Sequence, residues 1–177
     1  MSIPQPPKFA KLVVGFFLRD KDLVSPIALR LAEKFGEIDI VGPMMPFDYT
    51  SYYEPEMGVG LFRRILAFKP LIEQESLASI KIATNAIEAE FMEDGRRRVN
   101  IDPGYLVHER FVLASGKNFT HRIYIGCNIY ADLTLIYTKG TFQTLPWTYP
   151  DYADKSIKDL LESIRKKYII DLKQERK

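Results

Sequence analysis

Apolar positions along this chain alternate between two spacings, and the switches between them mark the elements. Residues 11–18, KLVVGFFL, form a short run of apolar, β-branched and aromatic side chains, the pattern of a buried strand. Gly15 inside that run predicts close approach by another backbone or a ligand. The next segment, SPIALRLAEKFG, repeats apolar side chains every four residues at Ile27, Leu31 and Phe35, which predicts a helix with one apolar stripe. Ser25 suits its cap, Pro26 its first position, and Gly36 a left-handed stop. Residues 37–47 and 59–69 read as two strands joined by the loop FDYTSYYEPEMG. A longer helix is predicted over 74–93, with Leu77, Ile80, Thr84, Ile87 and Phe91 turned to the core. Asp94-Gly95 ends it, and RRRVNI begins another strand.

The resulting order, β-α-β-β-α-β, is the split arrangement of ferredoxin-like folds. Beyond residue 101 the character changes. Asp102-Pro103-Gly104-Tyr105 reads as a tight turn. Strand-like runs at 106–114, 121–126, 129–137 and 141–145 are separated by turns such as GCN and TKG at hairpin spacing. Residues 154–172 then place Ile157, Leu160, Leu161, Ile164, Tyr168 and Ile169 on one side of a last helix. The expected fold is α+β: a ferredoxin-like core extended by an antiparallel β-meander and a C-terminal helix. A length of 177 residues suggests one domain, with a Pro-rich lead at 1–10 and a frayed tail at 173–177.

Composition narrows the classes of function. Twenty-five basic residues against 23 acidic ones leave a net charge of +2, too balanced for a dedicated nucleic-acid or membrane surface. The single cysteine, Cys127, excludes an internal disulfide and any multi-cysteine metal site, and reads as a packed thiol beside a turn. The N-terminus lacks a signal-peptide pattern, and no apolar run approaches the roughly 20 residues that span a bilayer. A cytoplasmic location is expected.

Several runs, taken together, carry a resemblance. FDYTSYYEPEMG (47–58), IKIATNAIEAEF (80–91), VNIDPGYL (99–106), ASGKNFTHRIYIG (114–126), IYADLTLIY (129–137) and LPWTYPDY (145–152) resemble a bacterial family known as domain of unknown function 4416. The resemblance implies a small single-domain protein of a kind sometimes labelled GTP-binding, with no established activity. A P-loop, however, needs GxxxxGK followed by Ser or Thr. Gly116-Lys117 is preceded by RFVLAS and followed by Asn118, so the upstream glycine and the hydroxyl are both missing.

Three clusters could carry chemistry. The loop DYTSYYEPE offers Tyr53, Glu54 and Glu56, which suit acid–base work or a divalent cation, or else form a solvated lid. On the long helix, Lys81, Asn85, Glu88 and Met92 share one stripe, either solvated or with Asn85 and Glu88 turned into a cleft. The segment 99–122 brings Asn100 and Asp102 on one strand face, then Lys117, His121 and Arg122, a basic group able to hold a phosphate or carboxylate. His121 and Arg122 would point to opposite faces of a strand. These residues suit a small-ligand protein that binds, hydrolyses or transfers a phosphorylated or nucleotide-like ligand. In that reading Asp102, Glu54 and Glu56 are catalytic, holding a divalent cation such as magnesium or activating water, and Lys117 with Arg122 neutralises phosphate. The alternative is a non-catalytic RNA-associated or protein-interaction module, although nucleic-acid binding is disfavoured by the charge balance.

Overall fold

A computed structural model describes residues 1–174. No regular element precedes the first strand, β1 (Ala10–Leu18). There follow α1 (Val24–Phe35), β2 (Ile38–Val41), β3 (Met45–Phe47), the short α2 (Glu54–Met57) and the long β4 (Leu61–Ile72). Next come α3 (Leu77–Glu90), β5 (Val99–Leu106), β6 (Arg110–Ser115), β7 (Arg122–Tyr124), β8 (Tyr130–Thr138) and β9 (Thr141–Thr144). Two helices, α4 (Pro150–Ala153) and α5 (Lys155–Gln174), end the described chain. All nine strands belong to one antiparallel sheet, ordered β2-β4-β1-β5-β6-β8-β7, with β3 beside β4 and β9 beside β8. The architecture is mixed α+β, a large curled sheet covered by helices.

β1 lies near the middle of the sheet and is buried on both faces, as its unbroken apolar run requires. Leu12, Val14, Phe16 and Leu18 meet Ile27 and Leu31 of α1 and Ile80 and Ile87 of α3. On the opposite face Val13 joins Ile157, Leu161, Ile164 and Tyr168 of α5. Each such side chain contributes roughly 1.5–3 kcal/mol when taken out of water. Stripes of 3.6-residue periodicity therefore place α1 and α3 on one layer and α5 on the other.

Three local expectations are corrected. The strand expected over 37–47 is two strands, broken at Gly42, whose N–H donates to the Ile65 carbonyl at 2.8 Å. A Cβ there would lie 2.6 Å from Leu160 of α5, so the break is where helix and sheet come closest. The tight turn expected at Asp102-Pro103-Gly104-Tyr105 is continuous strand, paired to β1 along its whole length. Cys127 is not packed: it stands exposed between Gly126 and Asn128, three successive left-handed residues at a hairpin tip whose side chains point outward. Of the tail expected to fray at 173–177, Lys173 and Gln174 belong to α5 and 175–177 lie outside the described residues.

Among the described residues no helix is long and apolar enough to cross a membrane.

Candidate functional site

The sheet is split where β5 meets β6. β5 pairs with β1 from Val99 to Leu106, but with β6 only from Gly104 to Leu106. β6 continues to Ser115 along β8, so the two strands diverge from Gly104 back toward Val99 on β5 and from Leu113 toward Ser115 on β6. A Cβ on Gly104 would lie 2.5 Å from the Val112 carbonyl oxygen, and glycine is therefore required at the apex of this wedge.

The edge of β5 left open by the split is satisfied by side chains. Ile101 donates its N–H to Glu88 Oε1 at 2.6 Å, and its carbonyl accepts from Lys81 Nζ at 2.6 Å. Lys81 and Glu88 lie two turns apart on one face of α3, the spacing that reaches both groups of one extended residue. Pro103 sits two residues beyond Ile101, so its ring nitrogen faces the same open edge. No ladder hydrogen bond is lost there.

The wedge opens into a cavity of about 850 Å³, within the range of small-molecule sites. Asn100 and Asp102 of β5 form one wall, Leu113 to Lys117 the other, and Lys81, Asn85 and Glu88 of α3 the floor. Tyr49, Tyr52 and Tyr149 line the mouth and remain substantially exposed, while Tyr53 and Tyr152 lie deeper. Burial pushes the Tyr53 and Tyr152 phenols up to about 12, so both are neutral hydrogen-bonding groups near neutral pH.

A chain of hydrogen bonds runs along the β5 wall. Arg97 forks onto Glu56 at 2.8 and 2.6 Å and donates to Asn100 Oδ1 at 2.9 Å. Asn100 in turn donates to Asp102 Oδ2 at 2.8 Å, and Lys81 approaches Asp102 Oδ1 at 3.6 Å. The Arg97 fork holds the Glu56 carboxyl below its ordinary range, and burial pushes the Glu88 carboxyl up. On the other wall Arg122 donates to Asp132, Ser115, the Lys117 carbonyl and the Tyr149 hydroxyl, all at 2.9–3.0 Å. Lys117 donates to the Tyr52 hydroxyl at 3.0 Å and lies over that ring.

Of the residues singled out in the sequence, Tyr53, Asn85, Glu88, Asn100, Asp102, Lys117 and Arg122 line this one cavity. Glu56 reaches it only through Arg97, and Glu54 is an exposed residue of α2 outside the lining. His121 also lies outside. It does not oppose Arg122, because it precedes β7 in a turn where strand alternation has no force, and both bond the same buried Asp132 oxygen. Its ring stacks on Trp147. Lys81 is 7% exposed, not solvated as a polar stripe suggests, yet its ammonium reaches the cavity floor. Asp102, Glu54 and Glu56 do not converge, and among the described residues no three His, Cys, Asp or Glu side chains are placed to hold a metal ion. Gly116-Lys117 lies between two strands, not at a helix start, so phosphate is not wrapped there as in a P-loop.

Sequence reasoning missed Arg63. Its guanidinium is 2% exposed, ion-paired with Asp151, bonded to the Tyr152 hydroxyl at 2.8 Å and stacked on that ring. Gly15 makes room for it, since a Cβ there would lie 3.1 Å from Arg63 and 3.2 Å from Tyr152. The close approach at Gly15, expected from another backbone or a ligand, is instead made by two side chains of the cavity wall. Arg97, Asp132 and the tyrosines of residues 149–152 were missed as well.

Fold and site together define an α+β protein with a polar, tyrosine-rimmed cavity held in a split sheet. The chain belongs to the family described as Domain of unknown function (DUF4416), whose model matches residues 8–168. No curated protein and no solved structure matches it.

Proposed function

We propose that this chain binds a small phosphorylated or nucleotide-like ligand in the cavity between β5 and β6. The observation that carries the reading is the wedge itself: a cavity of about 850 Å³ with exposed tyrosines at its mouth and a cationic Lys117 beside them. Exposed aromatic rings suit a planar ring system, and a neighbouring ammonium suits its phosphate. Asp102 is the one of the three carboxylates first singled out that opens on the cavity, so any proton transfer to or from the ligand falls to it. Such ligands are met in the cytoplasm, where this reading places the protein.

The same proposal extends to the fold. The order β2-β4-β1-β5, all antiparallel, with α1 and α3 against one face, supports a ferredoxin-like core for residues 10–106. The meander then supplies the second wall of the wedge.

A thermal-shift panel of nucleotides, nucleosides and sugar phosphates, with and without magnesium, tests the reading. A ligand at 100 times its Kd adds about 2.7 kcal/mol, and Asp102→Asn should change the ligand response. Absence of stabilisation by every compound at millimolar concentration removes the proposal.

A further inference from the structure

The charges lining the cavity say more about the ligand than its volume does. Five cationic side chains face it, and four are already held by carboxylates. Arg63 pairs with Asp151, Arg97 with Glu56, Arg122 with Asp132, and Lys81 lies between Glu88 and Asp102. The two arginines nearest the mouth have donors on every guanidinium nitrogen directed at protein acceptors. Lys117 differs. It is exposed, and its ammonium is bonded to a phenol and not to a carboxylate. A ligand anion can take that ammonium without breaking an ion pair.

Resting on the nucleotide-like reading above, we infer that the site is specific for a ligand with a single phosphate monoester, and that Lys117 is the residue that selects it. Five carboxylates stand in or directly behind the lining, matching the five cations. A second or third phosphate would enter a wall with no uncommitted positive charge and with Asp102 partly exposed on it. Its burial would be uncompensated, or would have to pull an arginine off its carboxylate. Arg122 acts as a positioning residue: by binding Ser115 Oγ and the Lys117 carbonyl it fixes the bend that presents the ammonium. Tyr52 holds Lys117 across the mouth and surrenders it to the incoming phosphate.

The test is calorimetric titration of the full chain with adenosine and guanosine, each as nucleoside, 5′-monophosphate and 5′-triphosphate. The expected result is a monophosphate that binds at least tenfold tighter than both its nucleoside and its triphosphate. Lys117→Met, at an exposed position where folding is not at stake, should bring monophosphate and nucleoside affinities together. A triphosphate that binds as tightly as the monophosphate overturns the inference, as does a monophosphate preference that survives Lys117→Met. Either outcome leaves nucleotide binding standing. Failure of all six compounds to bind the wild-type chain overturns the nucleotide reading and this inference with it.

Discussion

Among the described residues two lysines are buried, Lys11 and Lys81, and they do different things. Lys11 is fully enclosed between Asp39 at 2.6 Å and Asp171 at 2.8 Å, with Lys167 closing on the same carboxylates. Lys11 bonds both carboxylates at hydrogen-bond length, and the cluster fastens α5 to β1 and β2. Lys81 is nearly as buried, but its short bond is to a backbone carbonyl, and its carboxylates stand off at 3.6 and 3.9 Å. A closed cluster is consumed by holding helix to sheet. A looser one, satisfied partly by backbone, keeps a carboxylate available to whatever enters the cavity.

The comparison breaks most readily at Lys11. Lys11→Met leaves Asp39 and Asp171 with Lys167 as their remaining cation, and removing one partner of such a buried cluster costs about 3–5 kcal/mol. Urea unfolding should show it, and a loss below about 1 kcal/mol would mean the cluster does not fasten α5. Lys81→Met leaves the Ile101 carbonyl without its donor and should cost less, roughly 1–3 kcal/mol. Equal losses at the two lysines would erase the distinction.

A sharper separation comes from pH, because the two clusters respond with opposite sign. Burial works against the Asp171 carboxylate, but Lys11 and Lys167 outweigh it and hold the group below its ordinary 3.8. Its contribution is present above that value and is lost as pH falls through the lower folded one. Burial pushes Glu88 above its ordinary 4.5, so the folded chain keeps that proton more firmly. Its contribution is present below 4.5 and lost as pH rises through the raised value. Asp171→Asn should flatten the acid limb of a stability curve, and Glu88→Gln the limb above it. A single limb responding to both variants would show that the clusters do not titrate separately. The smallest effect is expected at Lys155, whose pair with Asp159 is exposed on α5; Lys155→Ala should leave the urea midpoint unmoved.

Much of the scaffold is written in spacing. The stripe Leu77, Ile80, Thr84 and Ile87 is buried at the predicted phase, because 3.6-residue periodicity leaves α3 one way to face the sheet. Asn100 and Asp102 share a wall for the equally local reason that strands alternate. Arg63 was not legible: in LFRRILAF, only the register against β1 decides whether Arg63 or Arg64 turns inward, and register is a long-range property. The proline at 103 misled for a related reason. Asp-Pro-Gly has turn chemistry, but a donor facing a split in the sheet is one the strand does not need.

That split has a consequence for how the chain meets its neighbours in a crowded solution. An unpaired strand edge is ordinarily where one molecule recruits another into a growing sheet. Here the unpaired stretch of β5 is turned inward, roofed by α3, capped at Ile101 by Lys81 and Glu88, and carries a proline that cannot donate to an invading strand. The features that hold the cavity open also protect the molecule against aggregation through its own opening.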